Sequence, residues 1–181
     1  RTKSIRLKTE GTIIPQKPSK ALLSYRNVKE LHFSVFEVNK KLMEYLKKEF
    51  AGYYEKHKTY IYYDEFLYNY FSKEKKFRNF KIDLPDDGDF QEHSVELKIP
   101  PLPIGQYFIA VSSSEKLGEN QNASGYAFAS ASNISYIYKQ NQDNSLDYHV
   151  INRFSGSHLS GVKAQLLSQE YNNKKSAYEI V

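Results

Sequence analysis

Cysteine is absent from the chain. Its absence excludes disulfides, thiolate metal sites, a cysteine nucleophile and an internal thioester. Tryptophan is also absent, and there is a single methionine. No apolar run reaches the roughly 18–20 residues that a helix needs to span a bilayer. Glycine-rich phosphate loops of either usual form are missing, as are the H-E-x-x-H metal motif and the G-x-S-x-G nucleophile elbow. The five histidines, His32, His57, His93, His149 and His158, show no metal-ligand spacing. Surface histidine is the reading for all of them. The acidic run Asp83, Asp86, Asp87, Asp89 and Glu92 lacks the alternating oxygen ligands of a calcium loop and is read as a charged turn. Catalytic residues, cofactors and metals are therefore expected to be none.

What is present is a globular chain of 181 residues, 40% hydrophobic and 26% charged. That is enough for one full domain and part of another. The net charge is +5, but lysines alternate with Glu and Asp along the chain, which argues against a nucleic-acid partner. The chain opens on Arg1 without an initiator Met and closes on Ile180 and Val181 in a strand-like run. It is read as an excised piece of a longer protein.

Strand periodicity dominates. Ile5 and Leu7 alternate with Arg6 and Lys8, and Ala21 to Tyr25 is a second short strand. From Leu31 to Val38 the apolar phase changes at Val35 and Phe36. That change fits either a bulge or a strand buried on both faces. Phe80, Ile82 and Leu84 alternate with polar residues, and so do Val95, Leu97 and Ile99. Pro100, Pro101 and Pro103 then end pairing, since proline donates no ladder hydrogen bond. Gly105 is expected at positive φ, releasing the chain into Tyr107, Ile109 and Val111. Asp87 and Gly88 read as a tight turn. Beyond the small residues Ala129 to Ser132, strands restart at Ile134, at Tyr148 and at Val162, Ala164, Leu166 and Leu167.

Residues 39 to about 80 break this pattern. Leu42, Tyr45, Leu46, Phe50, Tyr53 and Tyr54 recur at helical spacing with lysines between them. Thr59 to Tyr63 is a strand or a kinked linker. Asp64 is a candidate cap for a second helix carrying Phe66, Leu67, Tyr70 and Phe71. The segment holds eight of the 16 tyrosines. About half of them are expected to be core. Tyr53, Tyr54, Tyr60, Tyr62 and Tyr63 form the candidate interface, directed to a neighbouring domain of the same polypeptide, because tyrosine suits contact surfaces.

Three blocks resemble a known family. They cover roughly residues 21–38, 82–112 and 126–167 and are carried by the run Ser24 to Val38 (SYRNVKELHFSVFEV), the run Ile99 to Ser114 (IPPLPIGQYFIAVSSS) with its LP-x-G-x-Y core, and the hairpin Val150 to Ala164 (VINRFSGSHLSGVKA). Together they are similar to macroglobulin-type domains of bacterial, Bacteroides-type alpha-2-macroglobulin family proteins. In the hairpin, Asn152, Ser155 and His158 stand where the family has Asp, Thr and Pro, while Gly156 and Gly161 keep their places. The resemblance implies a mainly β protein: an immunoglobulin-like antiparallel β-sandwich over residues 1–130 with a helical insertion at about 39–80. Residues 131–181 would begin a second, truncated sandwich. It also implies a non-catalytic scaffold domain, periplasmic or on the cell surface (an outer-membrane lipoprotein among the options). Its partners would be other domains of the same polypeptide, and proteases met by the whole protein, whose implied role is protease inhibition. A second copy pairing through the truncated domain is a further expected partner. The alternative is an adhesin-type sandwich that binds glycan or protein through the tyrosine-rich insertion.

Overall fold

The computed structural model describes residues 2–85, 88–118, 122–165, 169–172 and 177–180. The chain forms two compact units, Arg1–Asn133 and Ile134–Val181.

Among its described residues the first unit has eight strands and three helices: β1 (Ser4–Thr9), β2 (Thr12–Ile13), β3 (Ser19–Arg26), β4 (Glu30–Val38), α1 (Lys40–Ala51), α2 (Tyr53–His57), α3 (Tyr63–Phe71), β5 (Arg78–Asp83), β6 (His93–Ile99), β7 (Gly105–Ser112) and β8 (Ser124–Ala131). They build a β-sandwich of two sheets, ordered β1-β3-β6 and β2-β8-β7-β4-β5. This is the immunoglobulin-like order, A-B-E over A′-G-F-C-C′. All pairs are antiparallel except β2 with β8.

The two sheets use their residues differently. The three-stranded sheet buries one face only. Ala21, Leu23 and Tyr25 point inward on β3, and Leu22 between them is 46% exposed. The five-stranded sheet buries both faces at its centre. On β4, Leu31, Phe33 and Val35 enter the sandwich core, while Phe36 and Val38 join a second cluster beneath the helices. On β7, Tyr107, Ile109 and Val111 face the core, and Phe108 and Ala110 face the helices. Pairing of β4 with β7 runs one residue for one from His32–Ser112 to Val38–Gln106. The phase change at Val35 and Phe36 therefore comes from two buried faces, and no bulge is present.

The proline-rich corner carries the chain from one sheet to the other, so β6 and β7 do not pair with each other. Here Tyr107, fully buried, donates its hydroxyl to the Pro103 carbonyl at 3.0 Å. This is the tyrosine corner of immunoglobulin-like sandwiches. Gly105 is not among the residues with positive φ, contrary to expectation. Its lack of a side chain serves a close approach instead: a Cβ there would lie 3.2 Å from the Tyr107 hydroxyl.

A second close approach ties the edge strands together. A Cβ on Gly125 of β8 would meet the Ile5 carbonyl oxygen at 3.2 Å and the Leu7 nitrogen at 3.3 Å. β1 passes over β8 at this point. The chain then drops into the other sheet as β2, with Ser130 N–H donating to the Gly11 carbonyl at 2.9 Å.

The helical segment departs from expectation in two places, the break at Gly52 and the cap of α3. Asn39 caps α1 by accepting from Leu42 N–H at 2.9 Å. The expected single helix through Tyr54 is interrupted at Gly52, and α2 ends at Lys58, whose φ is 54°. Thr59 to Tyr62 is a linker. Tyr62, not Asp64, occupies the N-cap of α3 and makes no side-chain cap bond; Asp64 lies in the first turn, where a carboxylate suits the helix dipole.

The second unit contains the hairpin β9 (Ile134–Gln140) with β10 (Leu146–Asn152), and the pair β11 (Gln169–Asn172) with β12 (Ala177–Ile180). After β10, the Asn152 side-chain oxygen accepts from Phe154 N–H at 2.9 Å and Ser155 N–H at 3.0 Å. Any Asx side chain offers that acceptor, so Asn serves where Asp is usual. Gly156 and Gly161 have φ of 71° and 69°, which favour glycine. Val162 to Gln165 form no strand, and Leu166 and Leu167, like the Asp86 and Asp87 turn, lie outside the described residues.

Two outcomes follow for urea unfolding. Tyr107→Phe should lower stability by about 1 kcal/mol through loss of one buried hydrogen bond, at unchanged m-value. An unchanged midpoint would mean that the corner bond is dispensable. Gly125→Val should cost about 1–3 kcal/mol, because backbone atoms of Ile5 and Leu7, and not the Ile5 side chain alone, oppose the new Cβ.

Candidate binding surface on the helical layer

The inner side of the helices is committed to packing. Leu46 of α1 and Leu67 and Phe71 of α3 are buried with Phe36 and Phe108. Phe71 stacks on Phe108 at 4.2 Å between ring centroids, and Phe36 lies 5.0 Å from Phe71. A polar tie joins helix to sheet: the Tyr126 hydroxyl of β8 donates to Asp64 at 3.0 Å. Burial, then the hydrogen bond to the Asp64 carboxylate and that carboxylate's charge, push the Tyr126 phenol up to about 12. Burial and the same carboxylate also raise Tyr68.

The outer side is open. Tyr45 and Glu49 of α1, Tyr53 and His57 of α2, Ile61 of the linker, Phe66, Asn69 and Tyr70 of α3, and Ser72, Lys73 and Glu74 after it line a cleft of about 420 Å3. Its aromatic rings touch one another. Tyr45 and Tyr70 lie 6.4 Å apart, Tyr53 meets Phe66 edge-on at 6.1 Å, and Tyr53 lies 4.4 Å from His57. Glu49 pairs with Lys56 at 3.3 Å. Burial first, then the Glu74 carboxylate, raises the Tyr70 phenol.

The five tyrosines read from the sequence divide three ways. Tyr63 packs edge-on against Phe50 at 4.9 Å and belongs to the helical core, half-buried. Tyr53 lines the cleft. Tyr54, Tyr60 and Tyr62 face outward: Tyr54 stacks on Tyr60 at 4.4 Å, and Tyr60 and Tyr62 are each 84% exposed. Sequence reading missed Tyr45, Asn69 and Tyr70 as companions of Tyr53. Their signal was helical spacing on two different helices, whose facing sides only the fold defines.

Of the other histidines, His149 and His158 lie 5.9 Å apart between ring centroids in the second unit. His93 Nε2–H donates to the Asp89 carboxylate at 2.9 Å, and the backbone N–H of Gln91, then His93, holds the Asp89 carboxyl below the usual range. Among the described residues, no group of three or more His, Cys, Asp and Glu is placed to hold a metal ion. Among them, too, no helix is long and apolar enough to cross a membrane.

Comparison with family models and with curated proteins gives no match. Among solved structures, the chain is similar to native alpha-2-macroglobulin from Escherichia coli spanning domains NIE-MG1. That similarity has 14% identity over 99% of this chain and 82% of the other, with a TM-score of 0.49. It is also similar to the CARDB domain of a Pyrococcus furiosus protein in complex with di-metal ions. There the identity is 13% over 72% of this chain and 87% of the other, with a TM-score of 0.35.

The Tyr126–Asp64 tie predicts a pH dependence. A phenol whose folded pKa lies above its unfolded value of 10.0 adds stability that is complete below pH 10 and is lost as pH rises through about 12. Unfolding midpoints should therefore fall between pH 10 and 12, and Tyr126→Phe should make that fall shallower. An equally steep fall in the variant would refute the coupling.

Proposed function

We propose that this chain is a non-catalytic macroglobulin-type module of a longer bacterial protein, exported to the periplasm or cell surface. Its task is to hold and orient neighbouring domains of the same polypeptide. Protease inhibition is then the role of the whole protein. The observation that carries the reading is where the resembling blocks lie in the fold. The LP-x-G-x-Y run of Leu102 to Tyr107 builds the corner that joins the two sheets. The Ser24 to Val38 run supplies β4, a strand buried on both faces. Asn152 and Gly156 shape the turn after β10, and Gly161 a bend beyond it. In these three blocks the resembling residues serve shape, which is what a scaffold role asks of them.

Tyr54, Tyr60 and Tyr62 are the surface offered to the adjoining domain. They are exposed, aromatic and carried at the outer end of the helical layer. Hydroxyl-radical footprinting compares the 181-residue chain with the full-length gene product. The three rings should be oxidised several-fold more slowly in the longer protein. Equal oxidation in both would remove the docking role from this surface.

A further inference from the structure

The cleft between α1 and α3 is a built site that the scaffold role does not use. We propose that it binds a neutral oligosaccharide, with the rings of Tyr45, Tyr53 and Tyr70 taking the sugar's C–H faces and Asn69, Glu49 and Glu74 taking its hydroxyls. Its volume of about 420 Å3 falls within the roughly 300–1,000 Å3 of small-ligand sites.

The chemistry of the lining selects the class. Three tyrosines and a phenylalanine give flat apolar walls, which a ligand with no apolar face would leave wet. A purely apolar ligand fails for the opposite reason: it would strip water from Glu49, Asn69 and Glu74 and return no hydrogen bond. Glu49 has Lys56 at 3.3 Å, Lys73 and Glu74 share the lining, and Glu74 also neighbours Tyr70. The two carboxylates disfavour an anion, and the two lysines near them disfavour a cation. A sugar ring fits what remains, being uncharged, with C–H groups on one face and hydroxyls around its edge. A carboxylate offers two acceptor oxygens to adjacent hydroxyls, and the amide of Asn69 offers a donor and an acceptor.

The elements suit the role as well. Tyr45 and Glu49 stand four residues apart on α1, and Phe66, Asn69, Tyr70 and Lys73 follow the three-and-four spacing of one face of α3 and its extension. Both helices are anchored from behind by Leu46, Leu67 and Phe71. Stacking partners are thus set on rigid supports, which precise recognition needs.

The test uses the 181-residue chain on an array of neutral, sialylated and sulfated oligosaccharides, followed by titration with chitotriose, cellotriose and maltotriose. With no tryptophan present, binding is followed by tyrosine emission, and the part of the change lost in Tyr45→Ala is the cleft's share among the 16 tyrosines. Saturable binding of at least one neutral oligosaccharide is expected. Tyr45→Ala should weaken it about ten-fold, and Asn69→Ala about three- to ten-fold. Both side chains are exposed enough to spare the fold, and an unchanged melting curve checks this. Tyr62→Ala, outside the lining, should leave affinity unchanged. Binding only to sialylated or sulfated glycans, no binding at millimolar neutral sugar, or binding indifferent to Tyr45 and Asn69 would each overturn the proposal. None of these results touches the scaffold role, which rests on Tyr54, Tyr60 and Tyr62.

Discussion

A sheet with two apolar faces needs two covers, and that requirement governs this fold. β4 and β7 put side chains of core type on both sides of the five-stranded sheet. The three-stranded sheet covers one side. The other would expose Phe36, Val38, Phe108 and Ala110 were α1 and α3 not laid across it. Burying Phe36, Phe71 and Phe108 stabilises the unit by about 1.5–3 kcal/mol each. Their sum is comparable with the whole net stability of about 5–15 kcal/mol expected for a domain. The helical segment is thus part of the domain's core and no decoration on a finished sandwich.

Its place in the chain follows from the same sheet. The helices leave from the end of β4 and return to β5, the outermost strand beside β4. Phe77 N–H donates to the Val35 carbonyl at 2.8 Å as the chain re-enters the sheet. An insertion here interrupts no interior ladder, because β5 has β4 alone as its neighbour. The polar tie from Tyr126 to Asp64 then pins the start of α3 to β8, two strands away from β4 across β7.

Much of this was legible in the residues, for definite reasons. One-faced strands show clean alternation, so Ile5 to Lys8, Ala21 to Tyr25 and Val95 to Ile99 announced themselves. The two-faced strand showed its nature through the phase change at Val35 and Phe36, though alternation alone left a bulge equally open. Gly105 was misread because glycine answers two needs, positive φ and close approach, and only the position of the Tyr107 ring tells them apart. Asp64 was misread because a carboxylate at the start of a helix serves as cap or first-turn anion, and its true partner, Tyr126, lies 62 residues away. The cleft was least legible. Its members alternate along α1 and α3 with residues that face the core, and no periodicity says which sides of two helices look at each other.

The helical layer also separates two kinds of surface by the backbone that carries them. Tyr45, Asn69 and Tyr70 ride on α1 and α3, regular helices fixed to the sheet by buried leucines and phenylalanines. Tyr60 and Tyr62 sit on the linker between helices, steadied by the stack of Tyr60 on Tyr54. A rigid support holds a small ligand's contacts to the tolerance that hydrogen bonds require, whereas a linker adapts to the broader, less exacting surface of another domain. One insertion, required by the sheet's second apolar face, thereby carries both: its inner side completes the core, its helical outer side shapes a cleft, and its linker leaves Tyr60 and Tyr62 exposed.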